Sequence, residues 1–256
     1  MNDPHVEWLR YGIQLGPTLR VSDPSPTTYE GDGFVARSEN GELKASMTSH
    51  HPTVESAREQ VEPFLRSWER HCDLLYGDSA LRFRWKDAEV IERDPPPGGA
   101  PRAFSVQLVA SITVTAEDVK LAVGMREYPP PPTAFRTTPD VDTLWYHYQS
   151  HLAGEQRLSD MGYYCFTVVH RVGGGLEGAA SMFQIDAKVL RKLSELSTTR
   201  GDAKMARKSL PNLQPYDPQE ETWIKDVVRA LVRRLGEFAA SAPLKKLTMA
   251  DFPPLP

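Results

Sequence analysis

Cysteine is scarce in this chain: Cys72 and Cys165 are the only two in 256 residues. Each sits in an apolar stretch, RHCDLL and YYCFTVV, where a small hydrophobe would serve as well. One disulfide could join them, but a reduced pair in a cytosolic protein is the expected state. Long hydrophobic runs are missing too. No stretch of about 18 apolar residues occurs, which excludes a membrane-spanning helix and any membrane partner that needs one. The opening MNDPHVEWLR is polar and lacks the continuous apolar region of a secretory signal. No internal repeat is visible, and neither a P-loop nor a G-x-S-x-G elbow is present.

What is there suffices for a core: 40% of residues are hydrophobic and 25% charged, close to the globular norm. The 22 prolines cluster in three segments, Asp94–Pro101 (DPPPGGAP), Tyr128–Pro132 (YPPPP) and Asp251–Pro256 (DFPPLP). Four successive prolines favour an extended spacer over a packed element. The expected organisation is therefore an α+β domain over 1–128, a proline-rich linker over 129–140, a helical domain over 141–243 and a proline-rich tail over 244–256. Charge divides unevenly across this boundary. Residues 1–140 carry 15 Lys+Arg against 21 Asp+Glu, whereas residues 141–256 carry 15 against 13. Any polyanion contact should therefore lie in the C-terminal half.

Within the first domain, FVARSE and ELKASMT flank Asn40-Gly41, the pair that a type I′ hairpin turn requires. Leu81, Phe83 and Trp85 alternate with Arg82, Arg84 and Lys86, which predicts a half-buried strand over Leu81–Arg93. Phe104–Thr115 reads as a long strand, with Val119–Tyr128 returning against it. Between the hairpin and these strands, Val54, Ala57, Val61, Phe64, Leu65, Trp68, Cys72 and Leu75 repeat at threes and fours. The spacing predicts a helix over 53–76, with Thr53 as N-cap, Gly77 after its end and a kink at Pro63. The fold class is thus α+β: an N-terminal antiparallel sheet packed with one long helix, followed by a small helical bundle.

The bundle reads as four helices. Val141, Leu144, Trp145, Tyr148 and Leu152 share one face of the first. Leu158–Val172 is apolar on nearly all sides, as a central buried helix would be. Asp186–Ser197 follows, and the last helix runs from Asp217 as N-cap and Pro218 to about Ala240. Trp223, Val227, Val228, Leu231, Leu235 and Phe238 line its expected buried face.

Several candidate sites fail on context. Gly173, Gly175 and Gly178 satisfy G-x-G-x-x-G, but a dinucleotide site also needs a second parallel strand, and the following IDAKVLRKLSEL has helical period. The loop reads instead as a flexible helix–helix connection, and no cofactor is expected. His147 and His151, four apart on a helix, could share a metal ion; Tyr148 stands where a zinc protease has Glu, and a complete ligand set is not evident. No metal is expected. Gly77-Asp78-Ser79 is similar to the nucleophile block of one esterase family, yet it follows a helix and lacks the later Asp-x-x-His.

Two sets remain. Arg66 and His71 form R-x4-H on the long helix. Paired Arg and His at this spacing occur in ribonucleases of the HEPN class, where histidine moves a proton and arginine stabilises phosphate charge. In that family the motif lies on a late helix of an all-helical domain, and here it lies among strands. Arg191, Lys192, Arg200, Lys204, Arg207 and Lys208 fall in a stretch, 188–208, with seven bases and two acids. Bases on neighbouring turns beside a glycine-containing loop could neutralise several phosphates, or form a solvated face with Glu195 and Asp202 as partners.

The segments VEPFLRSWERHCDL, EVIERDPPP, LWYHYQSHLAGEQRLSDMGYYCFTVV, VLRKLSELSTTRG, EETWIKDVVRALVRRLGEFAA and LTMADFPPLP together resemble a group of uncharacterised bacterial proteins, a likeness over most of the chain that implies no activity. The helical half is also similar in rhythm to HEPN-like bundles over about 110 residues. Its last helix has Arg233 and Arg234 with no histidine after them, so the resemblance implies no ribonuclease site in that half. The sequence therefore leads to a non-enzymatic binding or adaptor protein of the bacterial cytosol, contacting a protein partner or a nucleic-acid backbone through the basic face of its helical domain. The alternative is a HEPN-like RNA-cleaving enzyme, and a small-molecule pocket is a third reading. The tail would dock on another chain or, the favoured option, on its own domain.

Overall fold

The computed structural model of the chain describes residues 3–22, 24–93, 104–107, 123–201 and 214–255, with the backbone alone for 104–107, 123 and 124. It divides into two compact units, Met1–Pro132 and Thr133–Pro256. The fold is α+β, and no helix among the described residues is long and apolar enough to cross a membrane.

The first unit contains β1 (Pro4–Leu15), β2 (Leu19–Val21), β3 (Thr27–Gly31), β4 (Phe34–Glu39), β5 (Glu42–Met47), α1 (Val54–Tyr76), β6 (Leu81–Glu92), β7 (Phe104–Gln107) and β8 (Val123–Met125). Six strands form an antiparallel sheet in the order β3-β4-β5-β1-β6-β7. The β4–β5 turn holds Asn40 at φ 52° and Gly41 at φ 76°, the paired positive angles of a type I′ turn, whose twist matches that of the strands it joins. Val123–Met125 forms a strand, as expected. It pairs in parallel with β2 as a separate two-stranded ladder, and the expected strand residues 108–122 lie outside the described residues.

The register between β1 and β6 shifts twice, between Val6 and Trp8 and between Arg10 and Tyr11. Each shift leaves one residue unpaired, Glu7 on β1 and Lys86 on β6. Side chains alternate faces along a strand, so an inserted residue reverses which parity points inward. Thus Leu81, Phe83 and Trp85 share the helix-facing side, but beyond Lys86 the core residues become Ala88 and Val90. The opposite face carries a lattice of charge: Arg10 Nε donates to Asp87 at 2.7 Å, Lys86 pairs with Glu42 at 2.6 Å, and the Lys44 ammonium sits 4.6 Å over the Trp8 ring.

Helix α1 starts where expected, with the Thr53 hydroxyl accepting from Ser56 N at 3.2 Å. Its buried stripe is Ala57, Val61, Leu65, Trp68 and Cys72. Trp68 is fully buried, T-shaped against Tyr29 at 4.8 Å and tilted on Phe83 at 5.0 Å. Its indole N–H donates to Pro129 O at 2.7 Å, so the start of the proline-rich segment is tied to this core. Leu75, expected on the buried stripe, is exposed. At its C-terminal end α1 is joined to β6 through the fully buried Asp73 carboxylate, which accepts from Arg82 Nη1 at 2.8 Å and Nη2 at 2.9 Å.

The second unit contains α2 (Pro139–Leu152), α3 (Leu158–Val172), α4 (Leu176–Met182), α5 (Ala187–Thr199), α6 (Pro218–Ala239) and a 3-10 turn over Met249–Asp251. The caps explain the helix starts. Thr138 accepts from Val141 N, Asp186 accepts from Lys188 N, and Asp217 forms a reciprocal capping box with Glu220. Helix α3 touches all four other helices, but it is not buried on all sides: Met161, Cys165 and Val169 face inward while Tyr164, Thr167 and His170 are exposed. Leu152 and Phe238, expected on buried faces, are also exposed. Both lie at helix C-terminal ends, where the bundle no longer covers them.

The segment expected as a flexible connection contains α4 instead. The α3–α4 corner closes backbone on backbone: a Cβ at Gly173 would stand 2.3 Å from Ala179 Cα, and one at Gly178 would stand 2.0 Å from Gly173 O. The tail docks on its own unit. Leu247 exchanges backbone hydrogen bonds with Gln184 and Asp186, each at 2.8 Å, Arg234 Nη2 donates to Lys245 O at 2.7 Å, and Phe252 packs on Trp223.

Candidate ligand-binding site

The stripe of α1 beside its core face is written in charge. Arg58, Glu62, Arg66 and Glu69 recur at intervals of four, four and three, so they stack along one side of the helix. Across from them, β1 and β6 present aromatic rings at alternate positions, Tyr11 on one strand and Phe83 and Trp85 on the other. A cleft of about 940 Å³ lies between this helix side and the two strands, floored by Leu15 and Leu65.

The charges lining the cleft are unequally used. Arg58 and Glu62 neutralise each other at 2.6 Å, and the Arg58 guanidinium also lies 4.8 Å over the Trp85 ring. Arg84 Nε donates to Gln14 Oε1 at 3.1 Å. Glu69 Oε1 accepts from Phe83 N at 2.7 Å, and burial, outweighing that bond and nearby Arg82, pushes its carboxyl above the ordinary range. Arg66 is exposed and has no ion pair among the described residues.

Tyr11 is the unusual member. Its side chain is 2% exposed, its ring meets Trp85 edge-on at 5.5 Å, and it lines the cleft. The Arg58 guanidinium and Glu62 are its polar neighbours. The guanidinium is close enough to act as a donor toward the Tyr11 Oη, although off the ideal hydrogen-bond geometry. Burial raises the phenol well above its usual value, so it is a neutral hydroxyl at any physiological pH.

The residues singled out from sequence are placed as follows. Arg66 lines the cleft, but His71 does not. In the second unit, Arg191 pairs with Glu177 at 2.5 Å, Lys192 with Glu195 at 3.0 Å and Arg200 with the nearly buried Glu220 at 3.0 Å. Lys204, Arg207 and Lys208 lie outside the described residues. His147 and His151 do come together, around Gln156: Nδ1 of His147 is 3.0 Å from its side-chain oxygen, and Nδ1 of His151 is 3.0 Å from its backbone oxygen. His147 also stacks on Tyr164 at 4.8 Å. Among the described residues no group of three or more His, Cys, Asp or Glu is arranged to hold a metal ion. The G-x-G-x-x-G segment follows a helix, not a strand; close backbone approach accounts for Gly173 and Gly178, and a φ of 122° for Gly175.

Sequence reading reached Arg66, Phe83 and Trp85 but assigned them separately. The signal that could have joined them is the second, charged stripe of α1 at the same period as its core stripe. Which strand residues face that stripe depends on the β1–β6 register, which no local pattern encodes. Comparison of the chain with protein-family models, curated proteins and solved structures finds no match.

Proposed function

We propose that this is a binding protein of the bacterial cytosol whose first unit takes a small organic ligand in the cleft between α1, β1 and β6. The observation that carries this reading is the cleft itself: about 940 Å³ between α1, β1 and β6, walled by the rings of Tyr11, Phe83 and Trp85 and edged by Arg58, Arg66 and Arg84. Size and lining agree, since ligand clefts of this order combine aromatic walls with a few polar groups. The cytosolic setting is supported by Cys72 and Cys165, both free and fully buried.

The basic face of the helical unit is the weaker place to seek a partner. Its described cations Arg191, Lys192 and Arg200 are each committed to a glutamate, which lowers the charge available to phosphates. The alternative, RNA cleavage by Arg66 and His71, would not use this cleft as a whole, since Arg66 lines it and His71 does not.

The test is a thermal-shift screen of the full chain against a panel of neutral, cationic and anionic metabolite-sized compounds, repeated with Gln14→Trp. Gln14 is an exposed strand residue at the cleft mouth, where tryptophan is compatible with the strand and fills the opening. A ligand at one hundred times its Kd stabilises by about 2.7 kcal/mol, a rise of several degrees. Hits that vanish in Gln14→Trp support the reading. A panel without a single hit, or hits indifferent to Gln14→Trp, overturns it.

A further inference from the structure

Charge and surface in the cleft say more than that something binds. Of its cations, Arg58 is already neutralised by Glu62 and engaged with the Trp85 face. Arg66 has no counterion among the described residues, and Arg84 is held only by the neutral Gln14 amide. On the acidic side, Glu62 is committed to Arg58. Glu69 is bound to a backbone N–H and shifted by burial toward its neutral form. The surplus is positive and sits on an arginine, whose planar fork suits carboxylate and phosphate oxygens.

The rest of the wall is aromatic. Phe83 and Trp85 are half-buried; Phe83 is tilted on Trp68 at 5.0 Å, while Trp85 meets Tyr11 at 5.5 Å and carries the Arg58 guanidinium over its ring at 4.8 Å. Phe83 therefore offers the open ring face to a planar guest, and Trp85 its rim. Tyr11 Oη adds one neutral donor or acceptor at the buried end.

Resting on the cleft reading above, we propose that the ligand is a small aromatic acid: a planar ring system of one to three fused rings with a single anionic head, carboxylate or phosphate monoester. Its head pairs with Arg66, its ring lies against Phe83 and Trp85, and a polar ring substituent or heteroatom meets Tyr11 Oη. A cationic guest would face Arg66 and Arg84 with no free carboxylate to offset them. A neutral apolar guest would leave Arg66 without a counterion.

The experiment titrates the full chain by calorimetry, with tryptophan fluorescence in parallel, using 2-naphthoate, 2-naphthyl phosphate, the neutral isostere 2-naphthamide and the aliphatic acid octanoate. Either naphthyl anion is expected to bind at least about 10-fold more tightly than naphthamide and octanoate, as a charge-assisted pair plus stacking requires. The tighter of the two identifies the head as carboxylate or phosphate. Arg66→Gln should weaken the preferred anion about 10-fold and naphthamide less than 2-fold. For an anion whose ring bears a hydroxyl, 6-hydroxy-2-naphthoate, Tyr11→Phe should weaken binding about 3-fold or more while 2-naphthoate, which lacks the hydroxyl, changes less than 2-fold. Equal affinity for naphthoate, naphthyl phosphate and naphthamide, or indifference to Arg66→Gln, overturns the anionic head. Octanoate binding as well as the naphthyl anions overturns the aromatic body. If all four probes fail while the mixed panel gives hits sensitive to Gln14→Trp, the aromatic-acid class falls and the cleft reading stands.

Discussion

His5 shows how a single side chain can set a condition on the fold. It is 2% exposed near the start of β1, stacked on His50 at 5.4 Å, with Nδ1 accepting from His51 N at 3.4 Å. Burial lowers its pKa below 6.5, Arg93, His50 and His51 add to the shift, and Glu7 opposes it. The unfolded chain therefore takes up a proton near pH 6.5 that the folded chain resists. The stability tied to neutral His5 is full above pH 6.5 and is lost as the pH falls through the depressed folded value. Thermal unfolding at pH 7.5 and 5.5 should show a larger drop in Tm for the wild type than for His5→Asn, whose side-chain oxygen still accepts from His51 N. An equal drop would remove His5 as the sensor. Glu69 acts with the opposite sign, since its raised pKa costs stability as the pH climbs above 4.5, but it is common to both proteins and cancels in the comparison.

At the scale of elements, starts and turns were legible and lateral placement was not. Thr53, Asp186 and Asp217 cap the helices they precede, and Asn40-Gly41 makes the turn it spells, because a cap or a two-residue turn is decided by neighbours in sequence. The pairing of β8 with β2, more than 100 residues earlier, was not legible, for the complementary reason that pairing at that range depends on the whole unit. The α3–α4 corner allows a clean test of what its glycines do. Gly173→Ala drives a methyl into the Ala179 backbone and should cost more than about 2 kcal/mol, as overpacking against backbone does. Gly174→Ala meets nothing within 4 Å and should cost about 1 kcal/mol for its φ of 68°. Denaturant melts of the two variants check the order. A reversed order would mean that α4 gives way, and that the close approach is not what holds the corner.

For the whole molecule, each unit has a core of its own. The helical one centres on Trp223, Ile224, Val227, Val228 and Leu231 of α6, packed with Val141, Leu144, Met161 and Cys165, all fully buried. The tail is sealed to it by Leu247 and Phe252. A fragment spanning 133–256 should accordingly keep its helical circular dichroism and melt cooperatively, with Trp223 emission still blue-shifted. A fragment that melts without cooperativity would show that its core is incomplete. The sequence by itself determined the α+β class, the long helix, the hairpin and the helical second half, since periodicity and capping act over a few residues. It also placed Arg66, Phe83 and Trp85 on their elements. Only the tertiary structure decided that these residues share a cleft, that Tyr11 is buried in its wall beside Arg58, and that Arg191 and Arg200 pair with Glu177 and Glu220. Those outcomes depend on strand register, on two bulges that reverse facing, and on which helices come to lie side by side. They are properties of packing between distant segments, and local composition carries no record of them.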